Sequence, residues 1–213
     1  MKALALKQVS YDPSIFTAIE TLDDAMRIIV TPEAGLTSAQ RWQAETPCLL
    51  ELIERWLRPK AMVVDYGCGI GRLAKPLIEK HHCTVIGVDI SPNMRALAAS
   101  YVESHDFAAI HPAMLAYFGS GFEFAMAIWT LQHVLDVRQE VTEIVHCLRD
   151  GARLFVVNNI GRVVPTTGGW VDDGVDVRAI LKDHFTEIEY GQLSEDIAPG
   201  AFKDSTFWAV YQK

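Results

Sequence analysis

The chain lacks most of the features that would settle its class at once. Among its 213 residues are only four cysteines, Cys48, Cys68, Cys83 and Cys147, with no C-x-x-C pair and no Cys/His spacing suited to zinc. A disulfide scaffold is thereby excluded, and reduced, mostly buried thiols in a cytoplasmic protein are expected. No window approaches the roughly 18 apolar residues that a membrane span requires. The opening "MKALALKQVSYDPS" has one lysine before a short apolar stretch, too little for a signal-peptide core, so no membrane association is expected. Basic residues are also scarce. With 19 Lys+Arg against 27 Asp+Glu the formal net charge is −8, which opposes binding to phosphate backbones over a broad surface. No nucleic-acid partner is expected. Repeats and low-complexity tracts are absent as well, so the organisation must be read from periodicity and punctuation.

What is present is a hydrophobic content of 50%, ample for the core of one α/β domain with a small cap. Residues 1–57 read as an N-terminal helical cap or lid and residues 58–213 as the core. The cap begins irregularly, with "DPS" and "TPEAG" as breakers around a short helix between Ile15 and Ile29. In "RWQAETPCLLELIERWLRP" the apolar residues recur at three- and four-residue spacings, and Pro47 behind Thr46 suits the first position of a helix. Strand and helix patterns then alternate: "AMVVD", "GRLAKPLIEKH", "TVIGVD", "SPNMRALAASYVESH", "FAAIH", "FEFAMAIW", "VRQEVTEIVHCLRD" closed by Gly151, "ARLFVVNN" and "VDVRAILKDHF". Nearly continuous apolar strands alternating with helices imply a parallel sheet covered on both faces. Two final β-rich runs, "TEIEYGQL" and "STFWAVYQK", follow each other without a helix between them, separated only by the "SEDIAPGAFKD" loop, so this pair should be antiparallel. The fold class is α/β, with a seven-stranded, mostly parallel sheet.

The stretch "VVDYGCGIGRLAKPL" places a strand, a glycine-rich turn and a helix in succession, which presents free backbone N–H groups to a ligand. By itself such a turn is weak evidence, since glycines at strand-to-helix turns are often turn residues only. Counted from Gly67, the sixth position is Arg72 and not glycine, so the dinucleotide pattern G-x-G-x-x-G fails. The fit is to D-x-G-x-G-x-G.

In "DYGCGIG", Asp65 to Gly71, the chain resembles the class I S-adenosylmethionine-dependent methyltransferases. "VIGVDISPNMRALA" is similar to the second motif of that family, where Asp89 would take the ribose hydroxyls of the cofactor; a carboxylate can accept both bonds. Its competing role is a helix N-cap, for which Ser91 before Pro92 is the better residue. "FEFAMAIWTLQHVLD" resembles the fourth-strand motif, with Glu123 near the strand start and His133 just beyond its end. The resemblance implies S-adenosylmethionine as cofactor and the strand order 3-2-1-4-5-7-6, with strand seven antiparallel. It also implies a cofactor site built from Asp65, Tyr66, Gly67, Cys68, Gly69, Asp89, Ile90, Met94, Ala113, Met114, Trp129 and Thr130. Many relatives carry an acid after the third strand to meet the adenine amine. Here "AIHPAMLAY" has none, leaving His111, Ala113 and Met114 for that contact.

S-adenosylmethionine brings its own activation, so few catalytic residues are needed. His133 is either a general base for a hydroxyl acceptor or a loop anchor beside the cofactor. Trp129 and Thr130 should flank the methionine end or the substrate, with Trp129 as core filler the competing role. Asn158 and Asn159 stand where a metal-assisted enzyme would want carboxylates, so no metal is expected. The segment "GRVVPTTGGWVDDG", tipped by Trp170, reads as a loop that covers the substrate together with the "RWQAETP" helix. A small-molecule acceptor is expected, with O-methylation slightly favoured by His133 and by "RWQAETP", which looks like segments of sugar or polyketide tailoring methyltransferases, in a monomer or homodimer. The alternatives are a non-catalytic S-adenosylmethionine-binding partner protein and a nicotinamide-dependent oxidoreductase.

Overall fold

The computed structural model describes residues 10–33, 35–195, 197–198 and 200–213. The first nine residues, including the stretch weighed as a signal peptide, lie outside the described residues. Seven strands form one sheet: β1 (Met62–Tyr66), β2 (Thr84–Val88), β3 (Phe107–Ile110), β4 (Phe122–Ile128), β5 (Leu148–Asn159), β8 (Thr186–Gly191) and β9 (Thr206–Gln212). Their spatial order is β3-β2-β1-β4-β5-β9-β8. This is the expected 3-2-1-4-5-7-6, because β8 and β9 are the sixth and seventh strands of the sheet. β9 runs antiparallel to both its neighbours, while β1, β2, β3, β4 and β5 pair in parallel.

Helices cover both faces. On one face, α6 (Val137–Cys147) and α7 (Val177–His184) bury Val141, Ile144, Ile180 and Leu181 against the sheet. On the other, α3 (Ser38–Glu54) and α4 (Ala74–His81) bury Leu49, Ile53, Leu77 and Ile78. A third, smaller cluster joins Ile19 and Ala25 of the N-terminal segment to Ile70 of the glycine turn and to Met94 of α5 (Pro92–Val102). That cluster seats the cap on the carboxyl ends of the strands. Three of the helix starts have a serine or aspartate side-chain cap: Ser91 caps α5, Asp136 caps α6 and Asp176 caps α7, each accepting a bond from the backbone N–H three residues on.

Five expectations need correction. The segment from Ile15 to Ile29 is two helices, α1 (Ser14–Thr17) and α2 (Leu22–Ile29), because Thr21 and Asp24 form a capping box that starts a new helix. Helix α3 begins nine residues before Pro47, at a second capping box formed by Thr37 and Gln40, so Pro47 lies inside it. Thr46, expected to cap, donates its hydroxyl to the Trp42 carbonyl at 2.6 Å. Helix α6 stops at Cys147 and the chain enters β5 at Leu148; Gly151, with φ of 75°, lies within that strand and does not close the helix. The segment read as a covering loop is a hairpin of β6 (Gly161–Thr166) and β7 (Gly169–Asp176), a separate two-stranded sheet. The closing connection, expected to be a loop without a helix, holds one helical turn, α8 (Ala201–Asp204).

Candidate active site

The glycine turn after β1 is compressed from two sides. Gly67 and Gly69 adopt φ of 78° and 53°, where a side chain is strained. A Cβ on Gly67 would run into the Thr130 side chain, and one on Gly69 would stand 2.5 Å from Cδ1 of Ile29 in the cap. The N–H groups of Gly67 and Cys68 donate to the Val88 carbonyl at 2.7 and 3.0 Å, fixing the turn against the end of β2. Asp89 continues this link. One carboxylate oxygen accepts from the Gly69 N–H at 2.9 Å and the other from the Ser91 N–H at 2.8 Å. Burial raises its pKa, with those two backbone bonds and Arg95 acting in the opposite direction. Ser91, and not Asp89, caps α5 through its hydroxyl.

A cavity of ≈330 Å³ opens over this turn. Among its walls are Tyr66, Gly67, Gly69, Asp89, Ile90, Met94, Trp129, Thr130 and His133, so nine of the expected site residues converge there. Asp65, Cys68, Ala113 and Met114 are not among its walls. Asp65 is buried beneath the turn, where desolvation pushes its carboxyl up to about 7 against the pull of Arg72. The Cys68 thiol is buried too and donates to the Gly69 carbonyl at 3.5 Å. After β3 a 3₁₀ turn over Pro112–Phe118 directs Met114 outward, 47% exposed, and Pro112 is the residue of this stretch that reaches the cavity. His111 caps that turn, its ring accepting from the Ala113 N–H at 3.2 Å. Glu123, at the other end of β4, pairs with Arg149 at 2.6 Å, far along the strand from the cavity.

A buried charge network joins the cap to this site, and the sequence reading missed it. Glu45 of α3 is wholly buried. Its Oε1 accepts from Arg72 and from the Trp129 indole N–H, both at 2.8 Å, and its Oε2 accepts from Arg41 at 3.1 Å. Arg41 also donates to the Thr31 carbonyl at 2.6 Å. Trp129 holds a φ of 57°, costly for a residue with a side chain, and is fixed by Glu45 and by stacking on Phe202 at 5.8 Å between ring centroids. The signal was present: Arg41 and Glu45 fall in the same i, i+4 row as Leu49 and Ile53, which puts them on the buried face of α3.

His133 sits in a short 3₁₀ turn, Leu131–His133, after β4. Its Nδ1 lies 2.6 Å from the Val163 carbonyl, which can only accept, so the proton is on Nδ1. Its Nε2 lies 2.9 Å from the Gln132 amide nitrogen. The Gln132 amide oxygen accepts from the Asn159 N–H, which turns the NH2 group toward the imidazole. Both ring nitrogens are therefore engaged, and burial lowers the imidazole pKa to about 4. A second missed pair lines the cavity: the Tyr66 hydroxyl donates to Glu140 of α6, whose pKa is raised by burial and then by Glu143. Among the described residues no group of three or more His, Cys, Asp or Glu side chains is placed to hold a metal ion, and no helix is long and apolar enough to cross a membrane.

Residues 64–156 match the family model described as a methyltransferase domain. The match begins inside β1 and ends inside β5, so it contains the glycine turn, Asp89 and His133. That segment, less than half of the chain, is what carries the similarity to a methyltransferase domain. The chain is 30% identical over 102 residues to an O-methyltransferase of Aspergillus nomiae, covering 45% of each chain. It is 30% identical over 98 residues to the ubiquinone biosynthesis O-methyltransferase of Rhizobium etli, covering 44% of this chain and 39% of that one. The chain thus spans less than half the length of these curated relatives. In three dimensions it resembles a TehB-like S-adenosylmethionine-dependent methyltransferase from Corynebacterium glutamicum, with a TM-score of 0.59, 20% identity, and coverage of 82% of this chain and 95% of that one. S-adenosylmethionine is the cofactor of the family. The matched segment has the features to hold it: a bare glycine turn, a half-buried carboxylate at Asp89 facing the same space, and a cavity between them and Trp129.

Proposed function

We propose that this chain transfers a methyl group from S-adenosylmethionine to a small-molecule acceptor, at oxygen. The observation that carries the reading is the convergence of Gly67, Gly69, Asp89 and Thr130 on one cavity at the carboxyl ends of β1, β2 and β4. Open parallel sheets bind ligands at such a place. Oxygen as the acceptor atom is favoured by the two curated relatives, both of which are O-methyltransferases by name.

When bound, the cofactor supplies an electrophilic methyl group on a sulfonium, so alignment is the main demand on the protein. Asp89 offers its remaining lone pairs to the ribose hydroxyls, and Gly67 and Gly69 let the methionine portion approach the backbone. Met94 and Ile90 supply apolar walls on the Asp89 side. Trp129 and Thr130 bound the space where the acceptor must enter. The cap, through Ile28 and Ile29, keeps water from that space. His133 acts as a positioning residue: with Nδ1 and Nε2 both occupied it orders Val163 of the hairpin against Gln132.

Titration calorimetry tests the reading. S-adenosylhomocysteine should bind, and Asp89→Ala should weaken it by about 1.5–3 kcal/mol, the worth of hydrogen bonds to a charged group. That is roughly a 10- to 150-fold loss. An equal affinity for a nicotinamide dinucleotide, or an unchanged dissociation constant in the variant, would defeat the assignment.

A further inference from the structure

A second cavity of ≈390 Å³ adjoins the first, and its walls differ in kind. The two share Phe16, Ile28, Ile29, Trp129 and His133, so whatever occupies one is presented to the occupant of the other. The second cavity lies between the cap and the β6–β7 hairpin. On one side Phe16, His133 and Trp170 form an aromatic cluster, with ring centroids 4.7 Å apart for His133 and Trp170 and 6.0 Å for Phe16 and Trp170. On another side is Phe202, stacked on Trp129. Flat aromatic walls favour a flat aromatic occupant.

Charge narrows the class further. Arg41 lines this cavity although it is only 3% exposed, and its Nε is buried with no hydrogen-bond partner among the described residues. Its counter-charge, Glu45, is shared with Arg72, so two buried guanidiniums divide one carboxylate. Asp65 is the other acid close to Arg72, and it forms no ion pair with it among the described residues. A buried excess of positive charge is costly and favours an incoming anion. The acid of this cavity, Glu33, is exposed at its rim, where water screens it. Asn159, also in the wall, has a side-chain amide without a hydrogen bond among the described residues, available to a ring substituent.

We propose that this second cavity is the acceptor subsite and that it takes a planar aromatic acid, its ring against Phe16, Trp170 and Phe202 and its carboxylate directed toward Arg41. The proposal rests on the methyl-transfer reading. A carboxylate at Arg41 could also be the amino-acid tail of the cofactor, and the experiment separates the two sources.

The full chain is first titrated with S-adenosylhomocysteine. The saturated complex is then titrated with 4-hydroxybenzoate, with the neutral isostere 4-hydroxybenzamide, and with the non-planar 4-hydroxycyclohexanecarboxylate. The benzoate should bind at least about 10-fold more tightly than either analogue, a ratio worth about 1.4 kcal/mol. Arg41→Gln should bring the benzoate down to the level of the amide. Trp170→Ala, at a half-exposed site, should weaken both ring ligands about 5-fold or more while S-adenosylhomocysteine binds as before. Equal affinity for acid and amide, no binding of any probe, or an acid preference that survives Arg41→Gln overturns the proposal. So does benzoate binding that is lost when S-adenosylhomocysteine is present, since Arg41 then serves the cofactor tail. Failure of S-adenosylhomocysteine itself to bind is read in the first titration and overturns the methyl-transfer reading, in which case the benzoate titration alone decides the ligand of the second cavity.

Discussion

Glu45 and His133 show how single side chains here are spent on placing others. Glu45 is buried between two arginines and an indole, and removing it would leave Arg41 and Arg72 uncompensated. Breaking a buried pair in this way costs about 3–5 kcal/mol, so Glu45→Ala should lower the unfolding free energy by that order in urea titrations. Glu45→Gln, which keeps the shape and two of the acceptor sites, should cost less and should still alter Trp129 fluorescence. An Ala variant as stable as the parent would show that the network is not held in solution. His133 makes a pH-dependent contribution. Its folded pKa of about 4 lies below the unfolded value of 6.5, so its stabilisation is complete above pH 6.5 and is lost as the pH falls through the folded value. The shift corresponds to about 3 kcal/mol. Stability measured from pH 7 to pH 4 should fall more steeply in the parent than in His133→Asn; parallel curves would mean that the imidazole is not buried as neutral. By the same geometry, the activity profile should show no limb near pH 6.5 that depends on His133.

At the scale of elements, the N-terminal segment lines both cavities, and the hairpin adds Trp170 to the wall of the second. Ile29 at the end of α2 rests on Gly69, so the turn and the cap are one packed unit. Gly69→Ala places a Cβ 2.5 Å from the Ile29 terminus in a backbone conformation that L-residues avoid. The backbone strain alone is about 1–2 kcal/mol. The variant should therefore bind S-adenosylhomocysteine at least about 10-fold more weakly, with the loss partly recovered when Ile29 is also shortened to alanine. No recovery in the double variant would place the effect in the turn itself and not in its contact with α2. The hairpin has a similar duty. Tyr11 bridges to Thr166 of β6, and His133 holds the Val163 carbonyl, so both the N-terminal segment and the turn after β4 fix its position.

For the whole molecule, the cofactor should act as a structural ligand because its cavity is walled by β1, β2, β4, α5 and the cap at once. Binding to the folded state alone stabilises by about 2.7 kcal/mol at 100-fold excess over the dissociation constant. In a chain of this size that corresponds to a melting shift of about 5–10 °C. Differential scanning calorimetry should show this rise with S-adenosylhomocysteine and none with a nicotinamide dinucleotide. A shift with neither would mean that the cavity does not hold the cofactor as drawn.

The sheet was legible in the sequence because each strand announces itself locally. The runs "FEFAMAIW", "TVIGVD" and "ARLFVVNN" are predominantly apolar, bounded by turns and alternate with amphipathic helices, which points to a parallel sheet, and the two last β-rich runs in direct succession point to the closing antiparallel pair. The turn chemistry was equally local: D-x-G-x-G-x-G, Asp89 and Ser91 lie within 27 residues of one another, so the glycine turn and the cap at Ser91 could be read from residue type and spacing, while the ribose role of Asp89 came from the family resemblance. What tertiary structure alone decided is everything that depends on distance through space. Glu45 meets Trp129 across 84 residues, and His133 meets Val163 across 30. Whether an imidazole is a free base or a committed donor and acceptor is set by such partners, and so is the burial of a charge. Neither leaves a periodicity in the chain, because the energy of a buried polar group lies in its neighbours and not in its own position along the sequence.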